Sequence, residues 1–228
     1  MTSRISKTIP LAISLALLAP MAFAHGDTAP QAVDTTGLPD LPEEMASENP
    51  WREAEGELLF TAVDVGAKGF SSNCARCHGL EAISGGLAPD VRFLEADDFG
   101  DEWFLDRVMN GYEQNGAVKM PPFNDILSQE AIWAIRTYIE TRADADELLA
   151  KGSDIKVMHE KVAALGKDAS PEDAEAIATE LEGLGSDLEP LSGAPRVVSV
   201  LDQAAHILRT QPSHAPAAAE LLQGVLRN

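Results

Sequence analysis

Apolar residues recur every three to four positions in three segments of the first two-thirds of the chain, which is the spacing of an amphipathic helix. The third segment begins at Ser128, a favourable N-cap, and ends at Arg142, where the helix dipole favours a cation. Glycine and proline interrupt the pattern between the segments and predict loops. The predicted helices cover 54–72, 101–111 and 128–142, with a glycine-bearing loop around 84–89 and another loop at 112–127.

The pattern changes after residue 142. Residues 143–228 contain no cysteine, no aromatic side chain and many alanines. Their apolar stripes predict three or four more helices, each only marginally stable alone, because isolated helices under about 12–15 residues are marginal in water. They must therefore pack on one another, on the rest of the chain or on a partner; the alternative is a loosely folded tail. The predicted helices lie at about 154–165, 171–184, 196–210 and 215–226.

The first 24 residues have the pattern of a signal peptide. Arg4 and Lys7 precede an apolar run that is too short to span a bilayer, and Ala22-Phe23-Ala24 resembles a cleavage site. We therefore expect residues 1–24 to be removed on export to the periplasm, with His25 as the new N-terminus; an uncleaved membrane anchor is the alternative. Residues 25–50 are rich in proline and predict an extended lead-in.

The chain is strongly acidic. Its formal net charge of −20 becomes −22 when cleavage removes Arg4 and Lys7. Nucleic acids and anionic membranes bind cationic surfaces, so neither is expected as a partner. Charge alone indicates nothing more specific about the function.

The only two cysteines stand in the motif Cys74-Ala75-Arg76-Cys77-His78. The spacing C-x-x-C-H attaches c-type haem, because each thiol can add to one vinyl group and the adjacent histidine can bind the iron. A zinc site would need further cysteine or histidine ligands. A thioredoxin-like pair would need a βαβ context, and a simple disulfide would leave His78 unexplained. One covalently bound haem c is therefore the predicted cofactor.

A methionine is the expected second axial ligand of the iron. Met120 precedes Pro121 and Pro122, whose fixed φ angles stiffen the chain around the sulfur. Met109 is the competitor, but it lies on the apolar face of a predicted helix, where methionine usually fills a core. His25 is interpreted as a solvated N-terminus, with a metal site formed by its amine and imidazole as the alternative. The other histidines are interpreted as surface or half-buried residues, with iron ligation as a minor alternative: His159, His206 and His214.

The order helix, C-x-x-C-H, glycine–proline loop, helix, methionine loop, helix resembles the class I cytochromes c over about residues 31–142. The resemblance implies an all-α fold, with a cytochrome c domain at 51–142 followed by a helical C-terminal extension at 143–228. It also implies that the first and last helices of the domain pack together near Gly66, Phe70 and Tyr138. The carbonyl of Pro89 would then accept a hydrogen bond from Nδ1 of His78.

The stretches NCARCHGLEAISGGLAPDV, NGAVKMPPF and LSQEAIWAIRTYIETR narrow the resemblance to the cytochrome c550 group. That group takes electrons from periplasmic quinoprotein (PQQ-dependent) alcohol dehydrogenases. The resemblance implies that a redox protein of this kind is the donor and that a respiratory protein is the acceptor. Residues 143–228 have no counterpart in that group.

Together these features predict a periplasmic one-electron carrier and not an enzyme. Cys74 and Cys77 would hold the haem, and His78 and Met120 would fill both axial positions of the iron, leaving no site for a substrate. Two alternatives remain at this point. One is a peroxidase or sensor with a labile sixth ligand, and the other is a haem module whose C-terminal helices recruit a different redox partner.

Overall fold

The computed structural model describes residues 30–226, so the predicted signal peptide and His25 lie outside the described residues. Short 3-10 turns at 80–82, 91–93, 166–168 and 212–214 accompany the main elements. None of the helices within the described range is long and apolar enough to cross a membrane. The main elements, in chain order, are α1 (Gly56–Asn73), α2 (Ala75–His78), α3 (Asp98–Asn110), β1 (Tyr112–Gln114), β2 (Ala117–Met120), α4 (Gln129–Glu140), α5 (Ala145–Ala150), α6 (Gly152–Leu165), α7 (Pro171–Gly185), α8 (Val200–Thr210) and α9 (Ala215–Val225).

The fold is helical, as predicted, and its main contact in the first half of the chain joins α1 to α4. A Cβ atom at Gly66 would lie 2.0 Å from the carbonyl oxygen of Ala134 in α4, so only glycine permits this close approach. The rings of Phe70 and Tyr138 meet beside this point, with centroids 5.5 Å apart. Residues 131–140 are all buried, which places α4 at the centre of the molecule.

One local prediction was wrong. The segment 112–127 is not all loop, because β1 and β2 form an antiparallel hairpin. The turn between the strands is Asn115-Gly116, and both residues have a positive φ, 54° and 74°. Asn-Gly is favoured where both central residues of a two-residue turn need this conformation. This dipeptide was the overlooked signal, and Met120 consequently ends a strand.

The lead-in has no helix or strand in its described part, residues 30–50. It is nevertheless held against the start of α4. The amide of Leu41 donates to Glu130 over 3.0 Å and the amide of Ala46 donates to Gln129 over 2.6 Å. Gln129 in turn donates to the carbonyl oxygen of Pro42. Side chains of α4 therefore order a segment whose own backbone hydrogen bonding is limited to short turns, such as the one closed by the amide of Leu38 on the carbonyl of Thr35.

The buried residues form two hydrophobic clusters. We call residues 30–142 the N-terminal region and residues 143–226 the C-terminal region. The first cluster belongs to the N-terminal region except for Val198, and the second lies within the C-terminal region. The second includes α5, which the sequence pattern did not predict. Helix α8 starts at Val200 rather than 196, because Ser199 and Asp202 form a capping box there.

A network of buried charges lies inside the N-terminal region. Asp101 accepts hydrogen bonds from Arg52 at 2.7 Å and from Arg136 at 2.8 Å. Arg52 also binds Glu140 at 3.0 Å, and Asn49 donates to the same carboxylate at 2.8 Å. Two arginines thus face two carboxylates, so the network is close to neutral. Burial raises the pKa of Glu140, while the hydrogen bond from Arg52 opposes the shift.

The two regions also meet along the outer side of α1. The imidazole of His206 in α8 stacks on the ring of Phe60, with centroids 4.0 Å apart. Its Nε2 lies 3.4 Å from the carboxylate of Glu57. Arg196 forms an ion pair with Glu55 next to this contact. Residues 190–198 therefore run back towards the N-terminal region instead of forming the predicted start of a helix.

Candidate functional site

Helix α1 leads directly into the C-x-x-C-H motif. The amide of Cys74 donates to the carbonyl of Phe70 over 2.8 Å, and the short helix α2 follows at once. Cys74, Cys77 and His78 all line one cavity of about 620 Å³. Both cysteines are free thiols. One turn of helix thus presents two sulfurs and an imidazole to the same space.

The loop after α2 holds the ring of His78. Its Nδ1 lies 2.9 Å from the carbonyl oxygen of Pro89. A carbonyl can only accept, so Nδ1 carries the hydrogen and the lone pair of Nε2 is left to bind a metal. The loop itself is tied by Ser84, whose hydroxyl donates to the carbonyl of Ala88 over 2.5 Å.

Met120 lines the same cavity, whereas Met109 does not. The backbone packs tightly where α3 ends, because a Cβ atom at Gly111 would lie 2.4 Å from the carbonyl oxygen of Met120. The φ of Gly111 is +71°, a conformation that favours glycine. Met109 instead lines a separate surface groove with Met45. The geometry therefore distinguishes the two methionines that the sequence left as competitors.

The cavity has apolar walls and a mixed rim. The buried rings of Phe70, Phe104 and Phe123 face it. At the rim, the guanidinium of Arg107 lies between two rings, 5.3 Å from the centroid of Trp103 and 5.2 Å from that of Tyr112. The other lining residues are Asn73, Leu87, Ala88, Val91, Val108, Gln114, Lys119, Pro121 and Ile139.

Burial controls the chemistry of the first thiol. It raises the pKa of Cys74 to about 12, and the neighbouring thiol of Cys77 contributes to the same shift. Without a bound group, Cys74 is therefore protonated at physiological pH, in keeping with the apolar wall around it.

The residues present fit a haem. The cavity is large and apolar, two thiols stand three positions apart on its wall, and an imidazole and a thioether both face it. Arg92, next to the cavity-lining Val91, is buried and pairs with Asp90, but its Nη1 has no hydrogen-bond partner within residues 30–226. Arg92 itself does not line the cavity, so its unpaired Nη1 is no evidence for the cofactor. Sequence reasoning did not single out this buried arginine.

The described histidines other than His78 lie away from this cavity. His159 belongs to α6 and His214 precedes α9. His206 packs on Phe60, and none of the three lines the cavity. Their interpretation as surface or half-buried residues agrees with these positions.

Comparison with known proteins identifies the class to which this fold and cavity belong. Residues 61–139 match the family model described as Cytochrome C oxidase, cbb3-type, subunit III. The chain is 54% identical over 126 residues to Cytochrome c550 of Pseudomonas aeruginosa, across 54% of this chain and 85% of that protein. The chain therefore belongs to the c-type cytochromes of the cytochrome c550 group, which carry haem c and transfer electrons without being enzymes.

Two longer proteins share the same kind of sequence. Quinohemoprotein alcohol dehydrogenase ADH-IIG of Pseudomonas putida is 31% identical over 123 residues, which is 54% of this chain but 15% of that protein. Quinohemoprotein alcohol dehydrogenase ADH IIB of Pseudomonas putida is 34% identical over 84 residues, which is 37% of this chain and 12% of that protein. No solved structure gives a significant match.

Proposed function

We propose that this cytochrome carries one haem c and moves single electrons in the periplasm, from a quinoprotein alcohol dehydrogenase to the respiratory chain. Cys74 and Cys77 would form the two thioether bonds, and His78 and Met120 would be the axial ligands. The observation that carries the proposal is one apolar cavity lined by both thiols, the imidazole and the thioether.

The bound haem would supply an iron that alternates between the ferric and ferrous states. The chain's own residues set the conditions for this change. Pro89 orients His78 through the 2.9 Å contact at Nδ1, and the Gly111 contact places Met120. The buried rings of Phe70, Phe104 and Phe123 line the cavity and would keep water away from the haem. If His78 and Met120 both bind the iron, no coordination site would remain for a substrate, which would suit a carrier.

The rim of the cavity is the proposed entry point for electrons. Leu87 is 77% exposed and Tyr112 is 42% exposed, and both line the cavity. Arg107 and Lys119 place two cations at this rim, although the whole chain has a net charge of −20. A partner that docks here would approach the haem through apolar contacts, with charge acting mainly on the association rate.

Two lines of similarity support the choice of donor. The relative from Pseudomonas aeruginosa is a cytochrome c550, and two further relatives are named quinohemoprotein alcohol dehydrogenases. A sequence of this type thus occurs both as a small cytochrome and as one part of larger enzymes that are named as quinohemoprotein alcohol dehydrogenases. In those enzymes the dehydrogenase and the cytochrome-like sequence belong to one chain. Here the same electron transfer would run between two proteins, from a quinoprotein dehydrogenase to this separate cytochrome.

The test is to mix a substrate-reduced quinoprotein alcohol dehydrogenase with the ferric cytochrome and to follow haem reduction by stopped-flow absorbance. We expect rapid second-order reduction, slowed on the order of tenfold by Leu87→Asp, which puts a charge into the proposed contact. Leu149→Asp is the matched control, since Leu149 is 59% exposed but lies in α5, away from the cavity. Equal rates for both variants would contradict docking at this rim.

The salt dependence of the same rate is a further check. Exposed charges interact over about 8–10 Å at physiological ionic strength. We expect the association rate to change between low and high salt, with a sign set by the charge of the partner. A rate that stays constant over this range would contradict charge-steered docking.

A further inference from the structure

The turn directly after the haem motif has an unusual backbone. Glu81 and Ala82 have φ angles of +58° and +62°, although neither is glycine. Such residues persist in this conformation only where the surrounding structure holds them there. Ala82 is fully buried, and the amide of Ile83 donates to the carbonyl of Leu80 over 2.9 Å to close the turn. The loop that follows carries Pro89, the partner of His78.

One side chain from outside the turn holds it. Arg142, two residues after the end of α4, forms an ion pair with Glu81. Arg142 is buried, and its guanidinium packs over the ring of Tyr138 at 5.1 Å from the centroid. Glu81 is its one ion-pair partner within residues 30–226. A buried guanidinium with a single carboxylate partner is strongly constrained, because losing that partner would leave a charge unpaired.

The backbone on both sides of Arg142 is fixed by the C-terminal region. The hydroxyl of Ser192 donates to the carbonyl of Glu140 over 2.6 Å, and the amide of Val198 donates to the carbonyl of Thr141 over 2.9 Å. Ala143 forms a β-bridge with Pro190. The last carbonyls of a helix have no partner within the helix. Thr141 and the amide of Arg142 satisfy those of residues 137–139, and donors from residues 190–198 satisfy the next two, at Glu140 and Thr141.

We propose that Arg142 is a positioning residue for the proximal side of the haem and that residues 190–198 brace it there. The C-terminal region fixes the end of α4, Arg142 then holds Glu81, and the strained turn keeps the Pro89 loop against His78. The inference rests on the proposed haem attachment at Cys74 and Cys77. It gives the C-terminal region a role at the haem although none of its residues lines the cavity.

Hydrogen exchange at the Ile83 amide, measured on the full-length protein, tests whether Arg142 and residues 190–198 hold the turn at 80–82 in place. Arg142→Gln and Glu81→Gln should each speed this exchange on the order of tenfold, as expected for loss of a charged hydrogen bond. Arg142→Lys should restore part of the protection. Ser192→Ala should speed the exchange by a smaller factor, because it removes a cap and not the ion pair. Arg196→Gln is the control, since its pair with Glu55 joins the same two regions but does not touch α4.

The reduction potential separates positioning from simple electrostatics. If Arg142 and Glu81 acted only through charge, Arg142→Gln would lower the potential and Glu81→Gln would raise it. Positioning predicts shifts of the same sign in both variants and no further shift in the double variant. Opposite shifts, or unchanged Ile83 exchange in Ser192→Ala, would overturn the proposal. Mass spectrometry of the same samples reports whether haem is attached at Cys74 and Cys77, so a failure of the proposed function is distinguishable from unchanged exchange in a protein that carries haem.

Discussion

Aromatic rings and buried ion pairs fill the interior of the N-terminal region, whereas alanine, leucine and valine dominate the interior of the C-terminal region. The first core includes Trp51, Phe104 and Trp133, and the charged side chains of Asp101 and Arg136 are completely buried beside it. The second core contains no aromatic residue and no buried ion pair within residues 143–226.

The difference follows from what each core surrounds. The N-terminal region surrounds a cavity of about 620 Å³ that would hold the haem. Large rings line this cavity, and the network of paired charges ties the surrounding segments together, because each member fixes the position of several others. The C-terminal region surrounds only its own side chains, and small aliphatic residues pack at high density without further support.

Loss of the cofactor should have the largest effect on the difference between the two regions. The double variant Cys74→Ala, Cys77→Ala should lack the single haem adduct that mass spectrometry is expected to show in the unaltered protein. A ligand present at a thousand times its Kd stabilises a fold by about 4 kcal/mol, and a covalent one should exceed this. We expect the N-terminal region to lose its cooperative unfolding transition, while the C-terminal region keeps its helices. Residue-resolved hydrogen exchange measures the stability of each region separately. Simultaneous loss of both regions would contradict the comparison.

The next test removes one ligand and leaves the haem attached. Met120→Ala should abolish the thioether–iron absorption band and lower the reduction potential by on the order of 0.1 V or more, within the roughly 0.8 V range that axial ligands span. Met109→Ala is the matched control, because Met109 lines the other groove. Loss of the band in the control and its retention in Met120→Ala would show that the ligand assignment is wrong.

Asp101→Asn tests the buried charges. It should lower the free energy of unfolding by about 3–5 kcal/mol, because the buried Arg136 and the partly buried Arg52 both lose a carboxylate partner. Glu175→Gln is the comparison in the C-terminal region, where an exposed pair with Arg209 should be worth less than about 1 kcal/mol. Chemical denaturation measures both. Similar losses in the two variants would show that the two regions use charge in the same way.

Leu181→Ala probes the second core. Leu181 is completely buried in α7, and its truncation should cost about 2–5 kcal/mol of stability in the C-terminal region. The thioether–iron band should persist at neutral pH, since Leu181 is distant from the cavity-lining residues. Disappearance of the band at temperatures where the protein remains folded would contradict two separate cores.

The smallest expected effect concerns the contact between the regions. Burial lowers the pKa of His206; the carboxylate of Glu57 opposes this shift and Arg209 adds to it. A depressed histidine pKa means that the unfolded state binds the proton more readily, so stability is present above the ordinary pKa near 6.5 and is lost as pH falls below it. The melting temperature should fall between pH 7 and pH 5, and less so in His206→Gln. Identical pH profiles would exclude His206 as the cause.

Much of the N-terminal region could be predicted because its signals are local. The C-x-x-C-H spacing, the Ser128 cap and the period of α4 each lie within one short stretch. The hairpin was missed although Asn115-Gly116 indicated it, because prolines and charged residues around the turn obscure the strand pattern. Helix α5 was missed because six residues are too few for a clear period.

The residue types alone determined the haem motif, the helical class, the acidic charge and the change of character after residue 142. Tertiary structure decided which methionine shares a cavity with His78, which carboxylates pair with Arg52 and Arg136, and how residues 190–198 cap α4. These features depend on contacts between residues far apart in the chain, from 35 positions for Arg136 and Asp101 to 88 for Arg52 and Glu140. The periodicity of a sequence reports the face that each helix buries, but only the folded chain brings distant polar groups to hydrogen-bonding distance.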